Sequence, residues 1–406
     1  MATTWPFIIS TASRSNSLKR RARCAFALLL AAVSLVSSRP APACPFCKAL
    51  KPTLSQRRAE ADVVALAEVV APGEDASHVK LHRVHQGASQ VAAGQNLRVP
   101  LHRAVRPGEL LLLFGTSNDE AGAPRGAAAE SLSWHAVPVD ETSYAYFARA
   151  PQMRLPSAER LAYFARYLEH PDALVAEDAY LEFGHAPFDQ VSEVAHLLPA
   201  ERVPTWLADP GVPSYRKGFY GLVLGLADDP RQRATNAELL RRRILAPEDD
   251  FRAGFDGVLG GYLLLAGPEA LDLIESRYLA NPRAADGDVR HALSALRFYR
   301  EFGRQIPKRR LNEALRQLLA RPEFAEAATV DLARWQDWDA AEQVAALYRR
   351  PEYAQAATRR AIVGYLLACP EPQAAELLAE LRGFDPRGVS EAEQILTTTG
   401  SLPKAQ

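Results

Sequence analysis

Arg321-Pro322-Glu323-Phe324-Ala325-Glu326-Ala327-Ala328-Thr329 returns 29 residues later as Arg350-Pro351-Glu352-Tyr353-Ala354-Gln355-Ala356-Ala357-Thr358. A second stretch, Tyr215-Arg216-Lys217-Gly218-Phe219-Tyr220-Gly221, returns after 36 residues as Phe251-Arg252-Ala253-Gly254-Phe255-Asp256-Gly257. Around them the apolar residues keep helical period. Leu161, Phe164, Ala165 and Leu168 stand at i, i+3, i+4 and i+7, with Ser157 placed to cap that helix and Pro171 past its end. Such runs continue to Leu396, broken by Asp228-Asp229-Pro230, Ala246-Pro247, Gly267-Pro268 and Asn281-Pro282. Paired amphipathic helices with this repeat predict an α-solenoid over residues 155–396; a compact helical bundle with one internal duplication is the alternative.

Before Leu155 the pattern is that of strands. Ala61–Val70, Val79–Val84, Asn96–Pro100, Gly108–Gly115 and Trp134–Val139 are short β-branched or alternating runs separated by turn residues such as Pro72-Gly73 and Gly87. Five strands with little helix between them predict a small barrel or sandwich over residues 44–151. At 406 residues the chain exceeds what one core usually supports, so at least two folded units are expected.

Residues 1–43 carry Arg14, Lys19, Arg20, Arg21, Arg23 and Arg39 and no acid, and Cys24–Val36 is almost wholly apolar. As a helix that run spans about 20 Å, short of the roughly 30 Å hydrocarbon core, so it reads as a removed export signal and not an anchor. Ala41 and Ala43 fit the −3 and −1 positions of a cleavage site, leaving Cys44 first in the mature chain. An aliphatic residue is wanted at Ala41 for lipid attachment to Cys44, which makes anchoring the lesser expectation. No other apolar stretch is long enough to cross a membrane. The whole chain balances 48 bases against 48 acids, so loss of the segment leaves 42 bases and 48 acids. Arg241-Arg242-Arg243 and Lys308-Arg309-Arg310 are short and flanked by acids, which argues against nucleic acid as a partner.

Beyond the signal stand Cys44, Cys47 and Cys369. In an oxidising compartment Cys44 and Cys47 are expected to pair with each other. A thioredoxin-like redox role for this CxxC needs a buried strand before the first thiol, and no strand precedes Cys44. Zinc binding by the pair needs two further ligands. His78, His82, His85, His102 and His135 follow, without the spacing of a zinc ribbon, and read as surface and strand-edge residues, with His78 and His82 on one face of a strand and His85 on the other. No cofactor or metal is implied.

The first region resembles the netrin-like module of tissue inhibitors of metalloproteinases, an OB-fold barrel. The matching residues are Cys44 and Cys47, Ala61-Asp62-Val63-Val64 leading into Ala67-Glu68-Val69-Val70, and the strand Gly108–Gly115. The resemblance implies that the terminal amine and carbonyl of Cys44 would chelate a protease zinc. The chain departs from that pattern in having two residues and not one between its first cysteines, and in lacking the cysteines that staple the barrel. The helical region resembles HEAT-type repeats. The expected fold is thus α+β multidomain: signal 1–43, OB-like barrel 44–151, HEAT-like helices 155–396 and a tail 397–406.

Gly218, Gly221, Gly225, Gly254, Gly257, Gly260 and Gly261 fall in two equivalent helices, where each costs about 1 kcal/mol relative to alanine. Close helix approach explains them. A phosphate cradle does not, because no strand precedes them and no Lys-Ser/Thr step follows. Trp335 and Trp338 are candidates for a binding surface, with Trp206 a further aromatic on a helix. No G-x-S-x-G or H-E-x-x-H setting is present, and S-x-x-K occurs only without its partner motifs. Asp228-Asp229 and Asp249-Asp250 sit at helix starts and read as caps, and His170, His185, His196 and His291 as structural. The sequence therefore points to an exported, non-enzymatic interaction scaffold with a protein partner. A thiol–disulfide redox protein using Cys44 and Cys47, and a metalloprotease inhibitor using the Cys44 amine, are the rivals.

Overall fold

Val63–Ala71 (β1) is apolar but for Glu68, and its first five residues are all buried because they lie in the middle of a sheet and are covered on both faces. A computed structural model of the chain describes residues 51–101, 103–117, 132–247 and 252–399. Residues 1–43, on which the export reading falls, and Cys44, Cys47, His102, Asp249 and Asp250 lie outside them. β1 pairs antiparallel with Ser77–Gln86 (β2) on one side and Leu110–Ser117 (β4) on the other. Asn96–Val99 (β3) adds to β2 and Leu132–Pro138 (β5) to β4, giving the order β3-β2-β1-β4-β5. These are the five strands expected, curled into a half-barrel. The curl has a local cause. Register along β1 and β2 shifts where Val64 faces Gln86 but Ala65 faces Val84, and again where Leu66 faces Arg83 but Ala67 faces Leu81. β2 thus carries an extra residue at His85 and another at His82, and each bulge bends and twists the strand.

Alternation then divides the sheet between two cores. Val63, Ala65, Ala67 and Val69 of β1 join Leu111 and Leu113 of β4 inside the curl. Val64, Leu112 and Phe114 point the other way and join the core of the helices. Two helices missing from the sequence reading flank the sheet on that side: Leu54–Glu60 (α1) and Glu141–Arg149 (α2). Both open with a capping box, Thr53 with Gln56 and Asp140 with Ser143.

From Ser157 the described residues are helical, bringing the α-helices to seventeen. The change of period near Leu155 marks a change of secondary structure, and the apolar core runs through it unbroken from Leu54 to Leu396. The described residues belong to one compact unit. Alternate helices stack: Ser214–Gly225 (α7) on Phe255–Ala266 (α9), α9 on Asp286–Phe302 (α11), Pro322–Arg334 (α13) on Ala356–Ala368 (α15), and α15 on Pro386–Thr398 (α17). Hydrogen bonds between layers carry the same periodicity. Tyr278 Oη donates to the Ile244 carbonyl and Tyr353 Oη to the Leu319 carbonyl across 34 residues, and the Tyr215 hydroxyl donates to Glu177 across 38.

The repeated sequences make repeated contacts. Arg321 lies 4.9 Å over the ring of Phe324 and Arg350 lies 5.0 Å over that of Tyr353, each at the start of a layer. The glycines of α7 and α9 face each other: a Cβ on Gly261 would lie 2.0 Å from the Gly221 carbonyl oxygen, and one on Gly225 would lie 2.6 Å from Gly261 Cα. These helices touch backbone to backbone, as their composition predicts.

Candidate functional site

Ala173–His185 (α4) joins the half-barrel to the helices and does so with polar groups. Asp172 caps it, accepting from the Val175 N–H at 3.0 Å. Asp178 and Glu182 share the helix's buried side with Val175, Ala179, Leu181 and Phe183, which carries both carboxylates inward, to 4% and 3% exposure. Asp178 accepts the Leu54 N–H of α1 at 2.7 Å and the Tyr146 hydroxyl of α2 at 2.8 Å. The Tyr163 hydroxyl donates in turn to the Tyr146 carbonyl at 2.7 Å. One turn along, Glu182 takes the guanidinium of Arg160. At the end of α4, His185 Nε2 lies 3.0 Å from the Lys51 carbonyl, so the segment Lys51–Leu54 is held at both its ends.

Burial, the largest influence, pushes the Asp178 carboxyl up from its ordinary 3.8 to about 7; Glu182 adds to the rise, while the two donated hydrogen bonds and Arg57 oppose it. A carboxyl of that pKa has the strength of a general acid or base. Its two oxygens are already engaged by Leu54 and Tyr146 and it is almost fully covered, so it clamps three helices together.

A second buried network surrounds Arg216 of α7. Its guanidinium meets Glu177 at 2.6 Å and Glu169 at 3.2 Å, while the hydroxyls of Tyr215 and Tyr220 donate to Glu177 and Glu169, each at 2.6 Å. Burial works against the Arg216 charge, but the two carboxylates outweigh it, so its proton is held more firmly than an ordinary arginine's. Glu169 reaches this position from a left-handed backbone, φ 52°, a conformation that costs a residue with a side chain of order 1 kcal/mol or more.

Where the half-barrel meets the helices, a groove of about 420 Å³ opens to solvent. α1 supplies Ser55 and Arg58, the end of β2 supplies His85 and Gln86, and the loop after α2 supplies Met153 and Arg154. The bulge at His85 aims its ring at α2, where Nε2 lies 3.0 Å from the Tyr144 hydroxyl and the ring packs edge-on to Phe147 at 5.6 Å. Arg58 covers the same Phe147 at 5.5 Å. Burial, then the charges of Arg58 and Arg83, pull the His85 pKa below its ordinary value, so the ring is neutral at neutral pH. No carboxylate lines the groove. Among the described residues Arg58, Arg83 and Arg154 form no ion pair.

The remaining candidates are dispersed. Trp335 and Trp338 lie in the turn after α13, both half-buried, with Arg300 5.5 Å over Trp335 and Tyr365 edge-on to Trp338 at 5.3 Å. Trp206 is core. His78 and His82 are exposed, and His82 Nε2 pairs with Glu68 at 2.7 Å. Among the described residues no three His, Cys, Asp or Glu side chains converge as metal ligands. Cys369 is buried and free. Asp229 caps Pro230–Leu245 (α8), accepting from the Gln232 N–H at 3.0 Å. It borders a cavity of about 170 Å³.

Neither Asp178 nor the groove was identified from sequence. The signal for Asp178 was present: Asp178 and Glu182, four apart on a mostly apolar helix, share its buried side. The groove gave none, because its walls come from three segments distant in the chain. No helix among the described residues is long and apolar enough to cross a membrane. No protein-family model matches the chain, and no curated protein matches it either.

Proposed function

We propose that this chain is an exported, non-enzymatic interaction scaffold, an OB-like half-barrel fused to HEAT-like helical layers, that binds a protein partner at the junction of the two. The observation that carries the reading is the groove between α1, the end of β2 and the loop after α2, an open concavity on a rigid seam. Its rigidity comes from Asp178, which ties α1 and α2 to α4. The fate of the buried carboxylates supports a non-enzymatic role. Asp178 is taken up by the Leu54 N–H and the Tyr146 hydroxyl, Glu169 and Glu177 by Arg216, and none of the three carboxylates lines the groove. The layer-to-layer hydrogen bonds at repeat spacing support the HEAT-like class, and the strand order with its curl supports the OB-like one. The basic and apolar pattern of residues 1–43 supports export.

The test is cross-linking in the organism that encodes the chain, followed by purification of the full-length product. The expected result is a complex of fixed stoichiometry with one other protein, retained in the double variant Cys44→Ser, Cys47→Ser. A chain recovered alone, with thiol–disulfide turnover that this double variant loses, would replace the scaffold by the redox reading.

A further inference from the structure

The junction groove has a definite chemical preference. Arg58 and Arg154 stand in its walls and Arg83 lies close enough to act on His85, while no acid lines it. Each of these guanidiniums lacks a carboxylate partner among the described residues, unlike Arg216, Arg252, Arg297, Arg310, Arg316, Arg321 and Arg359 in the helical layers, which all have one. The rim is apolar. Met153 and Leu155 are 39% and 40% exposed, among the few large apolar side chains of the described residues left in solvent. An inorganic anion would satisfy the arginines and leave Met153 in water. A polypeptide segment carrying carboxylates beside an apolar side chain meets both, and about 420 Å³ has room for two or three of its side chains.

We propose that the groove bounded by Arg58, His85, Met153 and Arg154 is a docking site for an acidic segment of a partner protein, its carboxylates on the two arginines and an apolar side chain on Met153. This rests on the scaffold reading and names the partner's chemistry. The ring of His85, fixed by Tyr144 and Phe147, is a further wall of the groove. Arginine suits such a site because its planar fork takes a carboxylate through two parallel hydrogen bonds.

The purified full chain is titrated by fluorescence anisotropy against a labelled ten-residue peptide alternating glutamate and leucine. The same peptide with lysine for glutamate is the charge control, and inorganic phosphate the competitor. The acidic peptide should bind, with affinity at least tenfold weaker in Arg58→Gln, Arg154→Gln and several-fold weaker in Met153→Ser. Affinity should also fall steeply from 50 to 300 mM salt in the unaltered chain, a readout that does not depend on any variant folding. The lysine peptide should not bind. The proposal is overturned if the lysine peptide binds equally, if the arginine double variant keeps full affinity with unchanged circular dichroism, or if phosphate displaces the peptide at equal concentration, which would make this a small-anion site. Failure of the peptide to bind while the cross-linked complex persists sinks this inference alone. Loss of the complex tells instead against the scaffold.

Discussion

Gly257 lies so close to Gly218 that a methyl group on it would stand 2.0 Å from the Gly218 carbonyl oxygen. No rotamer relieves such a clash, since the obstacle is backbone. Gly257→Ala should therefore destabilise by about 3 kcal/mol despite alanine's better helix propensity, and Gly221→Leu by at least as much, because its Cβ would meet Val258 Cα at 2.8 Å. Gly383 is the control: nothing lies within 4 Å of its added Cβ, so Gly383→Ala should stabilise by about 0.5–1 kcal/mol. Denaturant midpoints of the three variants check both signs.

Asp178 predicts a pH dependence. Its carboxyl is raised in the folded chain from 3.8 to about 7, so the folded state holds that proton more tightly than the unfolded state. The associated stability is fully present below about pH 4, declines as the pH climbs and is gone above about pH 7. Asp178→Asn keeps an oxygen for the Leu54 N–H and removes the titration. Midpoints measured at pH 4.5, 6 and 8 should fall more steeply in the unaltered chain than in the variant. Parallel curves would show that Asp178 does not titrate in this window.

Arg216 holds two carboxylates, and truncating it strands both. Arg216→Ala should cost about 3–5 kcal/mol, the usual penalty for leaving a buried charge uncompensated. Arg216→Met with Glu169→Gln and Glu177→Gln should recover much of the loss, because the cost lies in the unpaired acids and not in the missing guanidinium. Equal losses in the single and triple variants would refute that account.

Met153 and Leu155 make the loop between α2 and Ser157–Phe164 (α3) an accessible protease site. The core continues across that loop, through Phe114, Tyr146 and Phe147 on one side and Leu161 and Phe164 on the other. A chain nicked there should elute from gel filtration at the intact size, and its two fragments should part only in denaturant. Free separation in buffer would mean that the shared core contributes little.

The strands were legible because β-branched runs such as Val63–Val70 end at Pro72-Gly73, and turn residues locate strands well. The face of His85 was not. Strict alternation sends it away from His82, but extra residues at both histidines reset the count, and a bulge leaves no mark in composition. α1 and α2 are short and lie beside β runs, so only the Thr53-Gln56 and Asp140-Ser143 caps announced them. The helical layers were readable from glycine placement, because backbone contact tolerates nothing larger. The groove depends on Arg58, His85 and Arg154 meeting from afar, and nothing local encodes that.

The two extra residues in β2 also bear on how the molecule behaves in company. β3 pairs with Ser77–Lys80 only, so among the described residues the rest of β2, from His82 on, has a strand on one side alone. A regular exposed edge of that length invites another chain to add to it and so to begin a fibre. At His82 and His85 the spacing of backbone donors and acceptors is broken, and an incoming strand loses its register at both places. Removing the bulge at His82 by deletion would straighten the edge, and its first consequence would be polymerisation at high concentration.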